Sequence, residues 1–308
     1  MTEPKSGKAA RREPPGRSAL PWKGATQDAY AVVMSDKEFN LLSSFIYSTV
    51  GIKMPPVKKP MLEGRLRKRL RHLGIPTFRE YCDYLFSQKG TGDEVIRMLD
   101  AVTTNKTDFF REASHFDFLT ERVVPEMVNR RGLGIGSKLR VWSAGCSTGE
   151  EPYTLAMVLS DAAERIKRFR FSILATDIST QVLEKAHQGI YDHERVEPIP
   201  EALRKKYLLR SKDRSRDLVR MAPELRSLIT FRRLNFMDDA FDVNDQMAIV
   251  FCRNVIIYFD KNTQEKVLRR ICDHMINGGY LFMGHSETLQ GIDAPLVHAA
   301  ATIYRKKG

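Results

Sequence analysis

The sequence predicts an α/β protein in which a mostly parallel sheet carries helices on both faces, preceded by a small all-helical domain. Three observations predict it. Before residue 138 no stretch has the composition of a strand, whereas apolar residues recur at helical spacing from Ser35 to Asp100. After residue 138 short apolar runs alternate with amphipathic ones, the pattern of repeated βαβ units. Between Tyr191 and Arg232 that alternation lapses into a charged stretch, which reads as an insertion in the α/β core. The expected divisions are a basic tail over 1–30, a helical domain over 31–103, an α/β domain over 104–308 and an insertion at 191–232.

The elements follow in order. Ser35 with Glu38 forms a capping-box pattern, and Phe39, Leu42, Ile46 and Val50 then lie on one helical face. Pro55, Pro56 and Pro60 interrupt. A second helix is expected from Met61 to about His72, with Leu62, Leu66, Leu70 and Leu73 on one side and Gly74 to end it. Thr77 to Asp100 reads as two shorter helices. Strands are expected at Leu139–Ser143, Phe171–Thr176, Phe231–Leu234, Met247–Cys252, Tyr280–Met283 and Thr302–Arg305. Helices are expected near Glu151–Arg165, Ser179–His187 and Thr263–Ile276.

Composition narrows the class. With 42% hydrophobic and 29% charged residues, the chain is ordinary for a globular protein with a real core. No apolar run reaches the ~18 residues of a membrane span, so no membrane insertion is expected. The first thirty residues mix Lys and Arg with Pro, Gly and Ser and lack the apolar stretch of a secretory signal, so a disordered tail is expected. Cys82, Cys146, Cys252 and Cys272 form no C-x-x-C pair, which argues against zinc and disulfides and for reduced cytoplasmic thiols. A net charge of +12 implies an acidic partner, and charge alone does not choose among nucleic acid, membrane surface and acidic protein.

Four segments carry candidate chemistry. Val141 to Glu151, VWSAGCSTGEE, runs from a strand through a loop with two glycines into a helix, where backbone N–H groups approach a ligand at the sheet's carboxyl edge. Its acids repel a pyrophosphate and suit a ligand bearing an ammonium group, such as the methionine part of S-adenosylmethionine. The same spacing also makes a tight structural turn. Asp177, at the tip of the second strand, is placed to accept both hydroxyls of a ribose, and equally to cap the next helix. Glycine loop and Asp177 together favour an adenosyl ligand. Phe251 to Phe259, FCRNVIIYF, leaves a buried strand at the same edge and sets Arg253, Asn254 and Tyr258 among apolar neighbours. Tyr258 also suits a packed aromatic with a bonded hydroxyl. Thr103 to Glu112, TTNKTDFFRE, lies at the domain junction, a common place for ligand sites.

With LATDIS, the Leu234–Asn235 pair and MGHSE, these segments resemble the chemotaxis receptor methyltransferases of the CheR type, over about residues 35–308. The resemblance implies a class I S-adenosylmethionine-dependent methyltransferase fold, Rossmann-like with a mostly parallel sheet, a small all-helical N-terminal domain and a small antiparallel β insertion. It implies methylation of glutamate side chains on the cytoplasmic helices of chemoreceptors, with S-adenosylhomocysteine as product. Carried over by motif, it places Asn105, Thr107, Arg111, Glu151, Asp177, Asn235, Phe236, Arg253 and Asn254 at the cofactor, with Glu150 the less favoured of the neighbouring acids. Arg111 and Tyr258 come nearest the transferred methyl. The chain departs from the family in its longer tail and in Ser211–Arg216, charged where receptor-tethering relatives have a glycine-containing turn.

A glutamate with an ordinary pKa near ~4.3 is ionised at pH 7, so the expected mechanism needs alignment and desolvation of the carboxylate, neither a strong base nor a metal. With the Leu62/Leu66/Leu70 face buried, a 100° step per residue sets Arg67, Lys68 and Arg71 opposite it and Arg65 on the flank. Such a run is commonly a solvated face; beside glutamate-rich receptor helices it reads as substrate recognition by Arg65, Arg67, Lys68 and Arg71. A monomer is expected. Two rival readings stay open. An amino-methylating nucleic-acid enzyme shares the fold, but carries an Asn/Asp-Pro-Pro-aromatic loop where this chain has Arg253-Asn254-Val255-Ile256. A non-catalytic signalling adaptor is opposed by intact Arg111, Asp177 and Tyr258.

Overall fold

A computed structural model describes residues 33–90, 92–213 and 215–308. The basic tail at 1–30 lies outside the described residues, as does Arg214 of the charged Ser211–Arg216 segment.

The first domain is helical: α1 (Asp36–Val50), α2 (Lys59–Leu73), α3 (Phe78–Leu85) and α4 (Asp93–Val102). The Ser35/Glu38 capping box forms in both directions, and Gly51, at φ 72°, ends α1. Phe39, Leu42 and Ile46 of α1 meet Leu62, Leu66 and Leu70 of α2, together with Tyr81 and Met98, in a core separate from that of the sheet. Residues 114–131, unassigned from sequence, form α5 (Ser114–Phe118), a π-helical stretch (Leu119–Val123) and α6 (Val124–Arg131). Phe116, Leu119, Val123 and Met127 are buried at helical spacing. Pro125 sits in the first turn after the π residues, where its missing N–H costs least.

Two sheets follow. The larger runs through β1 (Leu139–Ala144), β2 (Phe171–Asp177), β6 (Ile229–Arg233), β7 (Met247–Cys252), β8 (Met275–Met283), β9 (Leu296–Ala300) and β10 (Ile303–Lys306), in the order β6-β2-β1-β7-β8-β10-β9. The first five strands of that order are parallel; β10 and β9 close the edge antiparallel. Alternate residues of the central strands enter two cores. Val141, Phe251 and Phe282 face one with α7 (Glu150–Arg165), while Trp142, Val250 and Leu281 face the other with α11 (Lys261–Asp273).

The smaller antiparallel sheet holds β3 (Ile190–Asp192), β4 (Leu208–Arg210) and β5 (Leu218–Met221), in the order β3-β5-β4. It follows α8 (Thr180–Gln188) and includes α9 (Glu201–Tyr207) between β3 and β4; α10 (Pro223–Arg226) leads back to the main sheet. The sequence reading ran the insertion to residue 232, yet Ile229–Arg233 is the edge strand of the larger sheet, paired with β2. Two other boundaries move by three residues or more. Helix α11 stops at Asp273, not Ile276, and β8 starts at Met275, passing through Gly278 at φ 71° and an irregular register against β7. Strand β9 was not expected: it lies at the sheet edge with one buried residue and no alternation to announce it.

Candidate functional site

A cavity of about 260 Å³ opens at the carboxyl ends of β1, β2 and β7, where open α/β sheets bind ligands. Its lining includes every residue the sequence reading set at the cofactor or the methyl: Asn105, Thr107, Arg111, Glu151, Asp177, Asn235, Phe236, Arg253, Asn254 and Tyr258.

The glycine loop forms one wall. Gly145 and Gly149 adopt φ 92° and 98°. A Cβ on Gly145 would stand 2.4 Å from Val255, so only glycine lets the β1 and β7 loops approach this closely. Gly145 and Cys146 donate their N–H groups to Thr176 O, and Ser147 N–H donates to Asp177 Oδ2 at 2.8 Å. Asp177 Oδ1 accepts from Ser179 N–H at 3.0 Å. The helix cap is therefore Ser179, whose hydroxyl accepts from Val182 N–H, and the Asp177 carboxylate is left facing the cavity. Burial pushes its pKa up, against the N–H groups of Ser179 and Ser147 that pull it down.

The two acids after the loop diverge, as successive helix residues do. Glu151 lines the cavity and is tied on both oxygens, accepting from Ser143 Oγ at 2.6 Å and Arg253 Nε at 2.7 Å. Glu150 is only 1% exposed and turns away from the cavity, toward Thr148 and Arg195.

Arg253 is buried over the rings of Phe116 and Phe251 and braces the site. Besides Glu151 it reaches the Arg111 carbonyl at 2.7 Å and His115 Nδ1 at 3.3 Å. Glu112, His115 and His285 bring three donor atoms within 4.8 Å of one another, but Arg253 bonds into the same group and its charge disfavours a cation there. The TTNKTDFFRE segment forms the wall opposite the glycine loop. Phe110 and Glu112 sit at φ 54° and 58°, a conformation that non-glycine residues hold only when their surroundings enforce it. The Arg111 guanidinium donates to Lys106 O and otherwise turns to the cavity.

Sequence reasoning missed Glu287, although MGHSE contains it. Only 4% exposed, its carboxylate accepts four backbone N–H groups: Gly284 at 2.7 Å and Asn254, Val255 and Ile256 each at 2.9 Å. It holds the loop that carries Asn254, at φ 58°, and Tyr258. A glutamate two residues after a histidine in a loop gives no such signal by itself. The helical domain's share was missed too. Val50 and Ile52 line the cavity, Lys53 N–H donates to Tyr258 O, and Asn235 Nδ2 donates to Thr49 O at 2.7 Å. In sequence, Val50 is indistinguishable from a core residue.

The basic helix divides. Arg65 donates to the carbonyls of Val102 and Thr103 and to Thr104 Oγ1, so it pins the domain junction and is not a free recognition group. Arg67 pairs with Glu63. Lys68 and Arg71 are exposed and make no ion pair among the described residues. Arg69, on the flank, pairs with buried Glu94.

Comparison with known proteins agrees with this arrangement. Residues 37–103 match the family model described as CheR methyltransferase, all-alpha domain, and residues 105–305 match CheR methyltransferase, SAM binding domain. A chemotaxis protein methyltransferase of Borreliella burgdorferi is 39% identical over 82% of this chain and 89% of its own. Those of Escherichia coli and Klebsiella aerogenes are 38% and 39% identical, over 89% and 90% of this chain and 92% of each of theirs. The chain belongs to the CheR methyltransferase family, enzymes of chemotaxis that use S-adenosylmethionine.

Proposed function

We propose that the chain transfers a methyl group from S-adenosylmethionine to glutamate side chains on the cytoplasmic helices of chemoreceptors, giving glutamyl methyl esters, and that it does so as a cytoplasmic monomer. The observation that carries this reading is the convergence of Asp177, Asn254, Arg111 and Tyr258 on one cavity.

The donors present suit the cofactor. Asp177 keeps lone pairs free beyond its two N–H bonds, which fits a ribose diol. Ile178, Phe236 and Val255 give apolar surface for a base, and Asn105 and Asn254 add amides beside it. Glu151, bonded to Ser143 and Arg253, keeps negative charge near the wall that would take an ammonium group. When bound, S-adenosylmethionine supplies an electrophilic methyl on its sulfonium.

The chain's own residues have the remaining work. An ionised glutamate needs no base; it must lose water and be held in line. Of the cations that line the cavity, Arg253 is tied to Glu151, whereas Arg111 pairs with no carboxylate among the described residues, and a charge-assisted hydrogen bond from it would orient one oxygen of the substrate. The Tyr258 hydroxyl is a neutral donor on the same cavity. Lys68 and Arg71 suit steering of an acidic helix. The four cysteines are buried, and burial pushes their thiols upward in pKa, as inert cytoplasmic thiols require.

Single-turnover methyl transfer and cofactor binding, measured on the same samples, test the assignment. Tyr258→Phe is expected to lower kcat and leave the S-adenosylmethionine Kd almost unmoved, the mark of an interaction made in the transition state. Arg111→Ala is expected to lower both. A Tyr258→Phe enzyme with full kcat would make the tyrosine a packing residue.

A further inference from the structure

The insertion touches the cavity from behind, at two side chains that line no part of it. Tyr191, on β3, donates its hydroxyl to Thr148 O at 2.7 Å in the glycine loop, and its ring meets Phe109 edge-on at 5.0 Å in the facing wall. Arg195 lies in the single 3-10 turn His193–Val196 that follows β3. Its guanidinium has three acceptors. It reaches Thr107 O at 2.6 Å and Asp108 Oδ1 at 2.9 Å on one wall, and Glu150 Oε1 at 3.0 Å at the start of α7 on the other.

The wall is tied elsewhere at its two ends, and its middle, Thr107 and Asp108, is held to the facing wall by Arg195. Residues 104–108 have no regular secondary structure, and the segment ends in two non-glycine residues at positive φ. Among the described residues the wall is also tied by Ser147 Oγ to Asn105 O at 2.9 Å, near its start, and by Phe110 N–H to Thr154 Oγ1 of α7 at 3.2 Å, near its end. On the α7 side the anchor is firm, because Glu150 is nearly inaccessible and also accepts from Thr148 Oγ1 at 2.6 Å. Buried carboxylates keep a cationic partner tightly, since water cannot replace it.

We propose that Arg195 is a positioning residue for the cofactor: it latches the Asn105–Arg111 wall to the first turn of α7, so that the inserted subdomain governs how long cofactor and product stay in the cavity. The proposal rests on the reading of that cavity as the S-adenosylmethionine site. Arg195 touches no reacting atom; it acts through Thr107 and Asp108. Its loss frees the wall and leaves Glu150 without its cation, and the release rate registers this before the chemical step does.

The test measures S-adenosylhomocysteine affinity and release rate on the full chain, by calorimetry and stopped flow. Arg195→Ala is expected to speed release and weaken binding about tenfold, the scale of one charge-assisted hydrogen bond. Asp108→Ala, a change at a half-exposed side chain, is expected to do the same to a smaller degree. The double variant should be no worse than Arg195→Ala alone, because both remove one latch. Arg195→Lys should recover part of the loss. Wild-type release rates in Arg195→Ala and Asp108→Ala, or strictly additive effects in the double variant, would overturn the latch. Asp177→Asn separates the two levels. If that change weakens binding and Arg195→Ala does not, the latch alone fails; if Asp177→Asn also binds normally, the reading of the cavity fails with it.

Discussion

Replacing Glu287 by glutamine changes one atom in size by almost nothing and should disable the loop that carries Asn254 and Tyr258. The carboxylate accepts four N–H groups, two on each oxygen, at 2.7–2.9 Å, and is almost wholly shielded from water. An amide keeps one acceptor oxygen and points two N–H donors at the other pair. Each buried N–H left without a partner costs about 1–3 kcal/mol, so the substitution carries a penalty of roughly 2–6 kcal/mol. That is comparable to a large part of a domain's total stability of ~5–15 kcal/mol, unless the strain is relieved locally. The loop is where relief is available, because Asn254 already sits at φ 58° and is held there from outside. The expected outcome is a folded protein with a lower Tm, S-adenosylhomocysteine bound at least about tenfold more weakly, and single-turnover methyl transfer reduced further still. Calorimetry, thermal melting and labelled-methyl transfer on one preparation read all three. Glu287→Gln with wild-type affinity and rate would refute the reasoning, since it would mean that the loop keeps its shape without the carboxylate.

Asp177→Asn should weaken S-adenosylmethionine by about 10–100-fold, the loss of a charge-assisted bond to a hydroxyl, and calorimetry with unchanged Kd would remove Asp177 from the ribose. Asparagine is a smaller change than alanine: its one acceptor oxygen leaves one of the Ser147 and Ser179 N–H groups without a partner, where alanine leaves both. Lys68→Glu with Arg71→Glu should slow receptor methylation and leave cofactor affinity alone, and the wild-type rate should fall with added salt; an unchanged rate would reduce these residues to a solvated face. Arg65→Ala should instead lower the melting temperature, because Arg65 holds the Val102–Thr104 junction. His115 is pushed down to about 4, first by burial and then by Arg253. Between pH 6.5 and about 4 the unfolded chain takes up a proton that the folded one refuses, so this stabilisation is complete above 6.5 and is lost as pH falls. At about 1.4 kcal/mol per unit, denaturation at pH 7 and pH 5 should differ by ~2 kcal/mol more in the wild type than in His115→Gln.

What the sequence made legible was whatever repeats or is chemically conspicuous. The β1 loop with Gly145 and Gly149, the acid at the tip of β2 and the polar run after β7 could be placed because strand, turn and helix signals fix the carboxyl edge of a parallel sheet. The choice of Glu151 over Glu150 came with the family resemblance, and the geometry explains it: a 100° turn of α7 sends one carboxylate to the cavity and the other to Arg195. Contacts between distant segments were not legible. Glu287 is separated by more than thirty residues from three of the four N–H groups it holds, Arg195 by more than eighty from Thr107, and Thr49 lies 186 positions from Asn235. Helical periodicity placed Arg65 beside the Leu62 face of α2 but could not tell a solvated flank from one lying against the end of α4.

The most direct test of the central claim is the chemical identity of the methylated group. Purified protein, labelled S-adenosylmethionine and a receptor cytoplasmic fragment are incubated together, and the product is treated with mild base and sequenced by mass spectrometry. The account predicts label on glutamate side chains, released as methanol by base, and label greatly reduced with Tyr258→Phe. Base-stable label, label on nitrogen or on nucleic acid, or no label with the wild-type chain would contradict it.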